Sequence, residues 1–378
     1  MKRKGLKITG AIILLILVVY AFLPRYAQRA LIYLTVDIDD YKIFNNREVV
    51  AADPEPWEKD ALYGEVKIPD NWVDSLAQYN TVAYAIIKDS MLFLDEYWMG
   101  YSDSSYSNSF SAGKTIVGFS ILSAIDHGFI ESLDQRVSDF VPEYDNPENK
   151  DLRIRDVMTM SSGLNWVESY GGLFNTTTES YYGSNLMSLI TGLKVVEEPG
   201  KVFKYKSGNT QLLSLVLENA TNMTMSDYVG KYFWTPMNAQ YDALWSLDKK
   251  NGVEKAYCCF NSNAKDFARW GELMLSHGNW NGKQLVSKEL MTEALTPATY
   301  LVGEDGDPVD YYGYQLWILN YKGMHIPYMR GILGQYVFAI PEKNMVVVRL
   351  GEKRSRTYIN HHPKDVYTYI DLALELTK

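Results

Sequence analysis

The hydrophobic pattern of this chain changes period twice, and that order restricts the folds open to its 378 residues. Near residue 80, "TVAYAIIKDSMLFLDEYW" gives two runs rich in β-branched and aromatic residues around Asp89-Ser90, the pattern of a hairpin. From Thr115 the apolar residues move to helical spacing in "TIVGFSILSAIDHG", "RIRDVMTMSSG", "NTQLLSLVLENATN" and "KDFARWGELMLSHG". Strand patterns return late, in "YGYQLWIL", "QYVFAIP" and "NMVVVRL", before "PKDVYTYIDLALELTK" closes the chain as an amphipathic helix. Strands at both ends around a helical middle predict an α/β (α+β) fold. One antiparallel sheet is built from both chain ends and flanked by helices, and the central helices form a second, mainly helical lobe. A site then falls in the cleft between the lobes. Residues 168 to 185, polar and rich in Gly and Tyr, read as a rim loop.

Composition narrows the function. With 47% hydrophobic residues a sizeable core is expected. The net charge of −9 argues against a nucleic-acid partner, because neutralising phosphates needs clustered Lys and Arg. Cys258 and Cys259 are the only cysteines. Adjacent α-carbons lie about 3.8 Å apart, below the usual separation for a bridge, so the two read as small buried apolar residues. With so few cysteines and no H-x-x-x-H spacing among the five histidines, no metal is expected.

At the N-terminus, Lys2, Arg3, Lys4 and Lys7 precede an uncharged apolar run from Ile8 to Leu23. Its length suits a signal-peptide core or a short anchor, and the basic flank favours the anchor. The expectation is therefore an exported protein whose N-terminal segment partners the membrane and holds the folded domain on the periplasmic or extracytoplasmic side, or a secreted one if that segment is cleaved. Residues 1–34 form the anchor and its flank, 35–70 a stalk or lead-in, and 71–378 the folded domain.

"NSFSAGKTIVG", residues 108 to 118, can be read in two ways. Gly113-Lys114-Thr115 has the tail of a phosphate loop, but Asn108 stands where that template needs glycine, and the polar "YSDSSYSNSF" upstream cannot be a core strand. Ser111 and Lys114 have the S-x-x-K spacing of serine acyl-transfer chemistry. The same spacing recurs at Ser246–Lys249, in a charged turn, and at Ser262–Lys265, where Ser262 reads as a helix N-cap. Ser111 differs in opening a strongly apolar helix. Lys114, one turn on, is then directed into a buried cleft, where desolvation lowers its pKa and frees an amine to accept a proton. The helix's unpaired N–H groups lie beside the hydroxyl, where an oxyanion would form.

"SNSFSAGKTIVGFSILSAIDHGFIESLDQRVSDFVPEY" resembles the nucleophile helix and following loop of the serine β-lactamase and penicillin-binding superfamily. The likeness continues in order through "IRDVMTMSSGLNW", "EPGKVFKYKSGNTQLLSLVLENAT", "NSNAKDFARWGEL" and "RGILGQYVFAIPEKNMVVV", over roughly residues 75 to 375. It implies a β-lactamase-like fold in which Ser111 is acylated and Lys114 is its partner. Tyr205-Lys206-Ser207 matches the Tyr-x-Asn or Tyr-x-Ser element of the branch that includes class C β-lactamases, esterases and 6-aminohexanoate-dimer hydrolases, making Tyr205 a second general base. Ser207, Asn209, Arg330, Gly331, Trp166 and Tyr170 are the implied substrate contacts, and the N–H groups of Ser111 and Ile332 the implied oxyanion hole.

The third family element, Lys or His, then Thr or Ser, then Gly, is here Met329-Arg330-Gly331. Its departure weakens any reading in which a substrate carboxylate is gripped there. Glu168 is not assigned a role, because its surroundings do not match a deacylating glutamate, and no G-x-S-x-G elbow occurs. The resulting expectation is a cofactor-free serine hydrolase acting on a small ester or amide through an acyl-enzyme. A β-lactamase or DD-peptidase is the first alternative, and a non-catalytic sensor or binding module the second.

Overall fold

The computed structural model describes residues 2–378, with side chains from Thr9 onward. A six-stranded antiparallel sheet runs in the order Met91–Tyr97, Thr81–Lys88, Met345–Gly351, Tyr336–Ile340, Met324–Arg330 and Trp317–Tyr321. The two N-terminal strands therefore pair directly with the C-terminal ones, as in Ile86 opposite Val347. The first hairpin turns through Asp89 and Ser90, both at positive φ (51° and 60°), the conformation that a tight hairpin turn demands.

Alternate residues along each strand enter different cores. Val82, Ala85, Val337, Val346 and Val348 face the larger core, where the helix Ala264–Leu275 supplies Phe267, Trp270 and Leu273. Tyr84, Ile86, Phe338 and Val347 face the other, covered by Val366, Tyr369, Ile370 and Ala373 of the helix Asp365–Leu376. Both faces are buried, which is why "TVAYAIIK" reads as a continuous apolar run. Gly271 lets its helix lie directly on the sheet, since a Cβ there would come within 2.3 Å of Val346 Cγ1.

The second lobe is mainly helical. Its center is the pair Gly113–Asp126 and Ser207–Thr221, both buried over most of their length. A smaller sheet orders Asn46–Val49, Ala243–Ser246, Phe260–Ser262 and Ser107–Asn108. Its last pairing holds Ser107 opposite Ser262 and Asn108 opposite Asn261, which brings the approach to Ser111 beside the segment leaving Cys259. Part of the expected rim loop is a helix, Thr176–Tyr182, because Asn175 accepts the Thr178 N–H and caps it.

Two expectations fail. Among the described residues no helix is long and apolar enough to cross a membrane. The helix Lys2–Phe22 carries Lys2, Arg3, Lys4 and Lys7 in its first two turns, and its apolar remainder, at about 1.5 Å per residue, falls short of a bilayer core of about 30 Å. The membrane anchor, the membrane partner and the membrane-anchored extracytoplasmic location are thereby overturned. The segment that follows packs on the body instead: Ala27 and Ile38 are fully buried, and Asn46–Val49 pairs with Ala243–Ser246.

Cys258 and Cys259 are bonded to each other rather than free, with α-carbons 3.8 Å apart. Cys259 adopts φ +69°, outside the extended region, so the backbone turns at the pair.

Candidate active site

The backbone turns sharply just before Ser111. Phe110 has φ +45°, rare for a bulky residue. Its N–H donates to Asn108 Oδ1 at 2.9 Å, while the Ser109 N–H donates to Phe260 O at 2.8 Å in the smaller sheet. Those bonds over-determine the turn and bring Ser111 to the wall of a cavity between the lobes. Ser111 is not a helix cap: the residue at that position is Ala112, without a side-chain bond.

Lys114 is 1% exposed. Its Nζ donates to Ser207 Oγ at 3.0 Å and to Tyr257 O at 2.8 Å, and lies 5.3 Å and 5.2 Å from the ring centroids of Tyr205 and Tyr257. Burial pulls its pKa down to about 7, against an opposing pull from the Glu168 carboxylate. A neutral amine has two N–H groups and one lone pair. With both N–H groups held by Ser207 and Tyr257, the lone pair is what remains to accept a proton.

Tyr205 is half-buried against Tyr312 and Trp317, with the Ser111 hydroxyl near enough to pull on its phenol's pKa. Burial raises the phenol above its usual range and the Glu168 charge adds to it; the Ser111 hydroxyl and the charges of Arg330 and Arg354 act in the other direction. At neutral pH it is a proton-bearing phenol, which separates it from Lys114.

Glu168, which sequence reasoning left without a role, stands at the center of this network. One carboxylate oxygen accepts Ser207 Oγ–H at 2.8 Å and the Tyr170 hydroxyl at 2.7 Å. The other accepts the Ser207 N–H at 2.6 Å and Trp166 Nε1–H at 2.8 Å. Ser207 thus gives its one proton to Glu168 and accepts from Lys114. Tyr257, also unanticipated, contributes the carbonyl that holds Lys114 and lies beside the disulfide. The clue in the sequence was the Tyr257-Cys258-Cys259 adjacency; for Glu168 there was none, because its partner is 39 residues away.

The remaining expected contacts divide. Ser207, Tyr170 and Ile332 line the cavity with Ser111. The Ile332 N–H meets no acceptor among the described residues. Trp166 is 3% exposed and packs on Gly208, whose hypothetical Cβ would approach its ring to 2.6 Å, so it supports the site from behind. Asn209 is buried beneath the site, accepting Ser162 Oγ–H at 2.7 Å. Arg330 is occupied elsewhere: its guanidinium lies 3.1 Å from the Trp317 ring centroid and donates to His361 O at 2.9 Å. Gly331 allows a close backbone approach, but to the protein itself, since a Cβ would stand 2.3 Å from Ser109 O. The loop beyond it is pinned by buried Arg349, which donates to Leu333 O, Gly334 O and Lys353 O.

The other two S-x-x-K serines are structural. Ser246 lies in a strand with its hydroxyl on Asn46 Oδ1 at 2.8 Å. Ser262 ends a strand, and the cap of the next helix is Asn263, whose side chain accepts the Asp266 N–H. Asparagine displaced serine there because the strand pairing with Ser107 holds Ser262 extended.

Comparison with known proteins identifies the fold and the family. A 6-aminohexanoate-dimer hydrolase from Paenarthrobacter ureafaciens is 24% identical over 291 residues, covering 71% of this chain and 72% of that protein. The solved structure of a putative 6-aminohexanoate-dimer hydrolase from Bacillus anthracis aligns with a TM-score of 0.77 at 19% identity, over 90% of this chain and 92% of that one. A family VIII carboxylesterase aligns with a TM-score of 0.63 at 13% identity, over 84% and 98%. The fold is that of the serine β-lactamases and penicillin-binding proteins, and the family model described as Beta-lactamase matches residues 70–357, so the chain belongs to the beta-lactamase family.

Proposed function

We propose that this chain is a serine hydrolase that cleaves an ester or amide through an acyl-enzyme on Ser111. The observation that carries the reading is a desolvated Lys114, with both amine N–H groups engaged, lying over Tyr205 and bonded to Ser207, which lines the same cavity as Ser111. Lys114 is the base, since its pKa near 7 leaves a neutral fraction at physiological pH. Tyr205, holding its proton, passes one between Ser111, the leaving group and the water that later releases the acyl group. Ser111 attacks the carbonyl, its proton reaches the Lys114–Tyr205 pair, and the leaving group departs with a proton from that pair. The Ser111 and Ile332 N–H groups receive the developing oxyanion. Glu168 and Ser207 hold Lys114 in place.

Family membership favours a second reading, β-lactam or cell-wall peptide acylation. Against it stands Arg330, stacked and bonded inside the protein rather than offered to a substrate carboxylate. Fluorophosphonate labelling followed by peptide mass spectrometry tests the first reading: the label is expected on Ser111 and absent from Ser111→Ala. Label on Ser246 or Ser262 instead, or none at all, would overturn it, and rapid nitrocefin turnover would select the second.

A further inference from the structure

Resting on that reading, the cavity beside Ser111 specifies a substrate class. It measures about 540 Å³, within the range of small-molecule sites. None of the described residues lining it is Asp, Glu, Lys, Arg or His. On the body side Leu173, Ile332 and Leu333 present apolar surface, and so does a wall of N-terminal residues, Ala30, Leu34 and Val36. That wall lies outside the family region, which begins at residue 70.

The wall is built onto the body. Ala27 and Ala30 of the helix Arg25–Tyr33 are buried. Arg29 donates to Ile43 O at 3.0 Å and Tyr182 O at 3.3 Å, and the Tyr33 and Tyr182 rings stack at 6.1 Å. Leu34 ends the helix at φ +58°, its N–H on Ala30 O at 2.9 Å, and stays 78% exposed. A large apolar side chain left in water at the mouth of an uncharged cavity has surface to gain from an apolar ligand. A charged chain would lose its hydration there and find no ionic partner.

We propose that the N-terminal segment makes this site selective for substrates carrying an uncharged, medium-length apolar chain on one side of the scissile carbonyl. The chain lies against the apolar lining residues Ala30, Leu34, Val36, Leu173, Ile332 and Leu333.

The test measures kcat/KM of the full chain on p-nitrophenyl acetate, butanoate, hexanoate and octanoate, and on the matching alkyl acetates, with Ser111 titrated by fluorophosphonate. A fully buried methylene contributes up to about fourfold. Octanoate is expected to exceed butanoate by at least about tenfold in one of the two series, and an ω-carboxylated octanoate to be at least about tenfold poorer than octanoate. Leu34→Asp, at an exposed position, and Leu173→Asp, in the body's part of the lining, are each expected to cut the octanoate-to-butanoate ratio by at least about fivefold. A flat length profile in both series with Ser111 labelled would overturn the proposal while leaving the hydrolase reading intact. So would retention of the full ratio in both variants. Absence of both labelling and turnover would sink the hydrolase reading, and this one with it.

Discussion

Two lysines of this chain have lost almost all contact with water, Lys114 at 1% exposure and Lys255 at 0%. Burial pulls each down to a pKa of about 7. Their surroundings differ. Lys255 donates to Ser180 O at 3.0 Å and lies 5.0 Å from the Phe44 ring centroid, packed behind the site. Lys114 shares Ser207 with Glu168, lies over Tyr205, and neighbours a cavity into which Ser111 opens. A depressed lysine pKa is therefore a property of burial, and becomes chemistry only beside a hydroxyl that can give up a proton and a space that admits a substrate.

The sharpest way to break that contrast is substitution. Ser111→Ala and Lys114→Met should each lower ester kcat/KM by at least about 10³-fold, whereas Lys255→Met should stay within about threefold. Equal losses at the two lysines would erase the distinction. Tyr205→Phe removes the phenolic proton carrier and should cost about 10²-fold, read from the same assay.

The pH dependence comes next. Activity should rise as pH passes through about 7, where the Lys114 ammonium loses its proton. Because the Glu168 charge pulls that pKa upward, Glu168→Gln should move the acid limb of kcat/KM to lower pH; an unmoved limb would detach Glu168 from Lys114. Stability separates the lysines further. Each titrates near 7 when folded and near 10.5 when unfolded, so between those values the unfolded chain binds more protons and stability rises with pH. Lys255→Met should flatten that rise, measured by denaturant unfolding at pH 7 and 9, without shifting the activity profile. The smallest effect expected is from a dithiol: reducing Cys258–Cys259, next to the Tyr257 carbonyl that holds Lys114, should change kcat/KM by no more than about threefold. A total loss would give the bridge a larger part in holding Lys114.

The strand hairpin at Asp89-Ser90, the helix after Ser111, the helix Ala264–Leu275 and the C-terminal helix were all legible from periodicity, because each repeats over consecutive residues. The small sheet was not. Its strands are short, Ser107–Asn108 having only two residues, and they are defined by distant partners. The same limit applies to the site. Ser111 and Lys114 are one helical turn apart and could be paired by spacing, while Glu168 meets Ser207 only after the loop before Thr176 folds back. Arg330 was legible as a residue in the right place, but not as one already spent on Trp317.

By itself the sequence determined the longer helices and strands, that both chain ends share a sheet, and that a serine and a lysine stand one turn apart. These follow from the 3.6-residue and two-residue repeats of the backbone, which act locally. Tertiary structure alone decided that Lys114 is dry, that Glu168 and Tyr257 fasten it, that two adjacent cysteines bond, and that residues 30–36 wall the cavity. Those are contacts between segments far apart in the chain, set by how packed layers exclude water.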